Sequence, residues 1–279
     1  MSLSPKEILN SVFHHDEFRA YQEEIIDSVL NKKHTLGILP TGLGKSLCYQ
    51  IPAVVQDGLA IVVSPLVALI SDQIKRLQKL NIKVAGIYGN MKQEQIDIAL
   101  DNCKYGEVKF LFLAPERLSS LLIKTRIKQM NVSMIVLDEA HCISEWGHDF
   151  RPEYRNLKNS IKLLGNAPVI GLTATATPKV QEDILKNLEM ADANTFKASF
   201  NRPNLFYEVR TKTKNIESDI IRFIKQNKGK SGIIYCLSRK KVESIAQVLQ
   251  VNGISAVPYH AGLDAKTRAK HQDMFLMED

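Results

Sequence analysis

Cysteine is sparse in the 279-residue sequence, and none of its four copies, Cys48, Cys103, Cys142 and Cys236, stands in a Cys-x-x-Cys pair. That scatter excludes the usual zinc ribbon and any disulfide framework, so no zinc site is expected and a reducing setting, cytoplasmic in the first instance, is. Nowhere do about 18 apolar residues follow one another. The start, Met1-Ser2-Leu3-Ser4-Pro5-Lys6, has no apolar stretch of signal-peptide length, so neither export nor a membrane span is expected. There is no internal repeat of fixed period and no low-complexity segment. What is present, 44% hydrophobic and 24% charged residues, is enough for a full globular core. Lys and Arg outnumber Asp and Glu by 37 to 30, for a net charge of +7. That excess suits a polyanionic partner and equally suits an ordinary soluble protein.

Short runs rich in Val, Ile and Leu alternate with longer amphipathic segments, the pattern of parallel strands joined by crossover helices. Strands are expected near His34–Leu39, Leu59–Val63, Val84–Tyr88, Lys109–Leu113, Met134–Leu137 and Val169–Leu172, with helices over Leu66–Lys79 and Pro178–Leu188. Met134-Ile135-Val136-Leu137 lacks polar alternation, as a strand covered on both faces should. A less regular stretch, Ala191–Asn204, reads as a hinge region. The rhythm then restarts, with strands expected at Leu205–Val209, Gly232–Cys236 and Ser255–Tyr259 and a helix over Ser238–Val251 ended by Asn252-Gly253. The expected class is therefore α/β: a first domain over 1–195, a hinge over 196–204, and a partial second domain over 205–279.

Leu39-Pro40-Thr41-Gly42-Leu43-Gly44-Lys45-Ser46 follows one expected strand and opens a helix, the setting a phosphate-binding loop requires. Gly42 and Gly44 let backbone N–H groups close around phosphate oxygens, with Thr41 in the same turn. Lys45 can neutralise β/γ charge, and Ser46 can reach Mg²⁺. Leu39 stands where the usual pattern has its first glycine. Asp138-Glu139-Ala140-His141 follows the run Ile135-Val136-Leu137, so two carboxylates emerge at a strand's C-terminal end, where open α/β sheets bind ligands. Neighbours on an extended chain point opposite ways, freeing Asp138 to hold the metal while Glu139 polarises a water.

Phe18-Arg19-Ala20-Tyr21-Gln22, the phosphate loop, Asp-Glu-Ala-His and Thr173-Ala174-Thr175 occur in the order of a superfamily 2 helicase core, which the chain resembles. The stretch Ala140-His141-Cys142-Ile143-Ser144-Glu145-Trp146-Gly147-His148-Asp149-Phe150-Arg151-Pro152-Glu153-Tyr154 goes further and resembles the aromatic-rich loop of RecQ-family, DEAH-box DNA helicases. Leu47–Ala53, Val62–Leu66, Pro115–Leu118, Ser231–Cys236 and Tyr259–Leu263 resemble the same family, so the likeness covers nearly the whole chain.

The resemblance implies a RecA-like P-loop domain followed by an incomplete second RecA-like domain, with ATP and Mg²⁺ as cofactors and DNA with a single-stranded region as partner. It implies that Arg19 and Gln22 contact adenine, to whose edge a Gln amide offers one donor and one acceptor. His15 either stacks on the base or lies solvated. Trp146 and Phe150 would offer flat faces to bases and Arg151 charge or stacking, with His141 coupling the loop to hydrolysis. Thr173 and Thr175 inherit a link between hydrolysis and lobe motion, although threonines there also cap helices. Ser64, Pro65 and Arg117 would lie along the DNA-facing edge, and Ser238, Arg239 and His260 would touch the opposite stretch of backbone. Arg239-Lys240-Lys241 reads equally as a solvated helix face. Tyr154 is expected to pack.

Family members continue into a Gly-rich DNA-binding segment and a motif supplying an arginine finger. Neither is in these residues, so the chain alone is expected to bind ATP and DNA, hydrolyse weakly and leave an unpaired sheet edge. The implied activity is ATP-driven translocation on single-stranded DNA with unwinding, 3′ to 5′, in repair and recombination, at the nucleoid of a bacterium or in a eukaryotic nucleus. An RNA helicase or duplex translocase is opposed by the loop from Cys142 to Tyr154, and a binding module with a degenerate pocket by intact Lys45, Asp138 and Glu139. A metabolic P-loop kinase is opposed by the lack of any small-substrate lid.

Overall fold

The protein's computed structural model describes residues 3–162, 164 and 166–277. The chain divides into two compact units, Met1–Pro203 and Asn204–Asp279. The first is built on β1 (Thr35–Ile38), β2 (Leu59–Val63), β3 (Val84–Ile87), β4 (Phe110–Leu113), β5 (Val132–Asp138), β6 (Val169–Thr173) and β7 (Asn194–Lys197). These form one sheet in the order β3-β4-β2-β5-β6-β1-β7, with every pairing parallel.

The apolar runs have no polar alternation because each strand feeds two cores. Ile61, Val63, Leu111, Leu113, Ile135 and Leu137 pack on one face, while Ala60, Val62, Phe110, Phe112, Met134 and Val136 pack on the other. A slip of one residue would exchange the two sets, so volume complementarity fixes the register. That register pairs Ile38 with Thr173, Val63 with both Leu113 and Leu137, and Asp138 with Leu172. The C-terminal ends of β1, β2, β5 and β6 are therefore level, and the segments that follow them meet at one edge.

The six expected strands of this unit form within two residues of their expected ends. The helices run over Val67–Lys79 and Pro178–Leu188, the latter capped by Thr177, whose hydroxyl accepts from the Val180 amide, with Pro178 in its first turn. β7 was not expected. It lies within the irregular stretch, pairs with β1 and is followed by buried Ala198, so the compact unit runs on to Pro203.

In the second unit three helices form, Ile216–Gln226, Arg239–Val251 and Ala265–Met277. The three strands expected there do not: Leu205–Val209, Gly232–Cys236 and Ser255–Tyr259 enter no ladder among the described residues. Phe206 and Tyr235 are about nine-tenths exposed, at 89% and 92%, and only Ile245, Ala246 and Leu249 of this unit's described hydrophobic residues are buried. A β-branched, aromatic run has the composition of a strand, but its backbone is satisfied only by a neighbouring strand, and a run without one stays solvated.

Candidate active site

The phosphate loop leaves β1 through Leu39, which is still tied to the sheet: its amide donates to the Thr173 carbonyl at 3.0 Å and its side chain is fully buried. A glycine is not needed there because the chain has not yet turned. The turn comes at Gly42 and Gly44, with φ of +90° and +75°, left-handed values that a side chain would strain. A Cβ on Gly44 would also lie 2.7 Å from Nε2 of Gln22. Ser46 leads into helix Leu47–Val55, and its hydroxyl accepts from Gln73, which in turn accepts from Gln50. Lys45 Nζ rests 3.5 Å from the Leu39 carbonyl.

Arg19 and Gln22 reach this loop, but onto its backbone. Gln22 Nε2 donates to the Leu43 carbonyl at 2.8 Å and the Gly44 carbonyl at 3.1 Å, its Oε1 accepts from the Arg19 amide at 2.8 Å, and Arg19 donates to the Gly42 carbonyl. With the Gln22 amide committed in this way, pairing with an adenine edge would require these bonds to open. His15 is exposed. A residue that sequence reasoning passed over joins the site here: the Arg202 guanidinium lies 3.1 Å from where a Cβ on Gly42 would sit. A lone arginine in a polar turn gives no local signal of such a position.

Asp138 ends β5 and Glu139 follows with φ of +51°, in the left-handed region. The two carboxylates part company at this turn and not, as expected, through strand alternation, which ends at Asp138. Asp138 is held by the Ser64 hydroxyl at 3.3 Å and the Glu139 amide at 3.1 Å. Burial, then the Glu139 charge, push its carboxyl up to about 6, against the pull of Lys45. Burial would also raise Glu139, but the hydrogen bond from His141 and the charges of Lys45, His141 and His148 hold it below the usual range.

His141 is buried, with Nδ1 2.9 Å from Thr173 Oγ1 and 3.3 Å from Glu139 Oε2. The Thr173 hydroxyl can donate to the Thr175 carbonyl at 3.1 Å. It then accepts from the His141 Nδ1–H, the same donor that faces Glu139. Glu139, His141, Thr173 and Thr175 thus form one connected chain between the ends of β5 and β6.

Tyr154 does pack, fully buried, and its hydroxyl donates to the Asp138 carbonyl at 2.8 Å. Tyr154→Phe leaves that carbonyl without its partner at a cost of about 1–2 kcal/mol. The expected result is a melting temperature lower by roughly 2–8 °C, read by differential scanning calorimetry; an unchanged value would show that the bond contributes nothing.

Beyond the turn, Trp146 is 62% exposed, and the Lys179 ammonium sits 3.1 Å from the centroid of its ring. Arg151 spans inward, donating to the Pro65 carbonyl at 2.9 Å and to Asp149, and Phe150 is half-buried beside it. Arg117 donates to the Gly89 carbonyl. Contacts join Ser64, Asp138, Glu139, His141 and Thr173 at the sheet edge, Lys45 and Ser46 follow β1 at the same edge, and Arg151 reaches Pro65 after β2, while Thr175 and Trp146 are exposed. In the second unit, Ser238 caps helix Arg239–Val251, His260 Nε2 lies 3.1 Å from Glu243, and Arg239 lies against Gly262.

The pH dependence of stability carries a sign that tests the Asp138 environment. Its folded pKa of about 6 lies above the ordinary 3.8, so the folded state holds more protons between those values, and stability falls as pH rises through that window. The cost of the charge is complete above about pH 6 and absent below about pH 4. Asp138→Asn is expected to raise the ligand-free melting temperature at pH 7.5 by several degrees, an upper bound of about 3 kcal/mol, with the gain gone at pH 4. An equal gain at both pH values would sink this account.

A parallel sheet with a phosphate loop after one strand and paired carboxylates after another defines a RecA-like P-loop nucleoside-triphosphate-binding domain. The family model of DEAD/DEAH box helicases matches residues 19–184. The chain is 43% identical over 268 residues to the ATP-dependent DNA helicase RecQ of Haemophilus influenzae, covering 96% of this chain and 43% of that one. It is 42% identical to a protein of Acanthamoeba polyphaga mimivirus named for an expected ATP-dependent RNA helicase activity, over 97% of this chain and 50% of that one. The crystal structure of the helicase MrfA bound to DNA shares the fold, with a TM-score of 0.70 at 18% identity, over 96% of this chain and 39% of that one. The chain belongs to the DEAD/DEAH box helicase family and spans half or less of the length of these relatives. Among the described residues no helix is long and apolar enough to cross a membrane.

Proposed function

We propose that these residues carry the nucleotide-hydrolysing centre of a RecQ-type, ATP-dependent DNA helicase that tracks single-stranded DNA, 3′ to 5′, and unwinds duplexes in repair and recombination, in the cytoplasm of a bacterium or a eukaryotic nucleus. The observation that carries this reading is the Glu139–His141–Thr173–Thr175 chain, with Trp146 and Arg151 in the segment that follows His141 directly: the water-polarising carboxylate is tied to the end of β6 and lies a few residues before the nucleic-acid-facing loop.

The donor set fits ATP with Mg²⁺. Left-handed glycines open the phosphate loop, Ser46 and Asp138 offer the hard oxygen ligands magnesium takes, and the buried Asp138 charge lacks a full counter-ion. The bound nucleotide and ion supply a phosphoryl group whose developing charge is spread over its oxygens. Lys45 neutralises the β/γ oxygens, with the nearby Arg202 guanidinium available to the same anion. Glu139, kept ionised by His141 and Lys45, accepts hydrogen bonds from water and orients it. Thr173 and Thr175 connect this carboxylate to the end of β6, Ser64, Pro65 and Arg117 line the edge that faces DNA, and the hinge to the second lobe is confined to the residues after buried Ala198, up to Asn204. Ser238, Arg239 and His260 of that lobe meet the other part of the strand.

The test is ATP hydrolysis with no polynucleotide, single-stranded DNA or single-stranded RNA, for residues 1–279 and for the protein at the length of its RecQ relatives. DNA is expected to stimulate the longer protein about tenfold or more, because the loop follows the Glu139–His141 pair directly along the chain and any shift of it moves His141. RNA is expected to have little effect. Equal stimulation by RNA would favour the RNA helicase reading that the viral relative's name suggests. Residues 1–279 alone are expected to bind ATP and turn over slowly.

A further inference from the structure

Beside the Glu139–His141 pair lies a cluster that the hydrolytic reading does not use. His141 Nε2 and Asp149 Oδ2 each stand 3.8 Å from Cys142 Sγ, and all three ligand atoms lie within 4.8 Å of one another. Ligand atoms around a tetrahedral zinc, with bonds of about 2.0–2.3 Å, are separated by roughly 3.3–3.8 Å, so only small side-chain movements would close the cluster on an ion. Each ligand is also held in place by its neighbours. The His141 Nδ1–H faces Glu139 and Thr173, the carboxylate–histidine arrangement that presents Nε2 to a metal. Asp149 Oδ2 itself accepts from Nε and Nη2 of Arg151 at 3.3 and 3.2 Å, so an ion would share this oxygen with the guanidinium, and Arg151 is anchored on the Pro65 carbonyl. Cys142 is fixed through its backbone, its amide donating to the Glu139 carbonyl and its carbonyl accepting from the Arg151 amide, both at 2.9 Å.

From this geometry we propose that His141, Cys142 and Asp149 form a three-ligand site for a thiophilic divalent cation of the zinc class, and that its occupation brakes ATP hydrolysis. The donor set of thiolate, imidazole and one carboxylate excludes magnesium and calcium, which take oxygen ligands. Binding displaces the Cys142 thiol proton to solvent, forms the metal–sulfur bond and leaves a fourth position open to water. The brake follows from the shared histidine. A metal on Nε2 strengthens the Nδ1–H donor and fastens Glu139 to the imidazole and away from water, while Asp149 pins the segment that carries Trp146. The ligand assignment stands on geometry alone, whereas the brake rests on the hydrolytic role of Glu139.

Cobalt(II), the spectroscopic stand-in for zinc, separates the two. Titrated into metal-free protein, it is expected to produce a thiolate-to-metal charge-transfer band in the near ultraviolet that one equivalent of zinc erases. Cys142→Ser removes the band. Asp149→Asn, at a half-exposed position that keeps the fold, weakens cobalt affinity by at least about the tenfold that losing even an outer-shell partner costs. No band in the parent protein, a band that survives Cys142→Ser, or unchanged affinity in Asp149→Asn overturns the site. In the longer protein, zinc at low micromolar concentration is expected to slow DNA-stimulated ATP turnover reversibly, with relief by chelator, and to slow Asp149→Asn much less. Cobalt binding without that difference overturns the brake and leaves the site.

Discussion

Lys45→Ala is expected to reduce DNA-stimulated ATP turnover by at least about 10²-fold and to weaken binding of the triphosphate more than that of the nucleoside. Its ammonium follows the turn formed by Gly42 and Gly44 and rests 3.5 Å from the Leu39 carbonyl, and among the described residues it makes no salt bridge, so binding an anion requires no such pair to be broken. It also lowers the carboxyls of Asp138 and Glu139, so its loss removes a counter-charge from both while leaving their burial unchanged. The magnitude is that of deleting one preorganised charge from a water-poor phosphoryl-transfer site. Steady-state hydrolysis by the protein at the length of its relatives, with and without single-stranded DNA, provides the measurement. Calorimetric titration of ATP and adenosine into residues 1–279 separates phosphate from base. A rate left within a factor of two of the parent's would remove the phosphate-loop assignment altogether.

What could be read from the sequence follows the physics of burial. The six core strands of the first unit are apolar on both faces because helices cover both, and such runs announce themselves without partners in view. β7 does not: Asn194, Thr195 and Lys197 are exposed, and the strand exists because β1 offers it a free edge. The opposite failure occurs at Gly232–Cys236, where local composition asks for a strand and no ladder forms. Pairing is a tertiary property, and local propensity neither creates nor forbids it.

The site divides in the same way. Gly42, Gly44, Lys45, Asp138 and Glu139 were legible because phosphate and metal chemistry demand those residue types in that order. Gln22 reads from the sequence as a base contact, and in this structure its amide holds the phosphate-loop backbone, an arrangement set by carbonyls distant in sequence. Arg202 and the Gln50–Gln73–Ser46 relay carry no sequence signal, since isolated polar residues acquire direction only when the chain has folded.

Glu139→Gln separates binding from chemistry and is expected to have the second large effect. The substitution keeps volume and hydrogen-bonding reach but replaces an acceptor-only group by one with two donors, so water can no longer be polarised and the His141 Nδ1–H faces the Thr173 hydroxyl and a neutral amide oxygen in place of a carboxylate. Removing a positioned general base costs about 10²–10⁴ in rate, and DNA-stimulated hydrolysis should fall by that order. ATP affinity should hold within a few fold, because Lys45, Ser46, Asp138 and the loop glycines are untouched. Asp138 reports on the change independently. The Glu139 charge is one of the causes that raise its carboxyl, so neutralising position 139 moves that carboxyl down. The stability lost between about pH 4 and pH 6 in the parent should therefore shrink in Glu139→Gln, since a smaller upward shift means a smaller excess of protons in the folded state. Lys45→Ala shifts Asp138 the other way, by removing a favourable charge, and should deepen the same loss. Melting temperature followed for the parent and both variants from pH 5 to 8, above the range in which the lowered Glu139 carboxyl itself changes charge, gives the order Glu139→Gln, parent, Lys45→Ala in pH sensitivity from least to most. A reversed order would mean that the two carboxylates and the lysine do not share one electrostatic site, even if both variants were inactive.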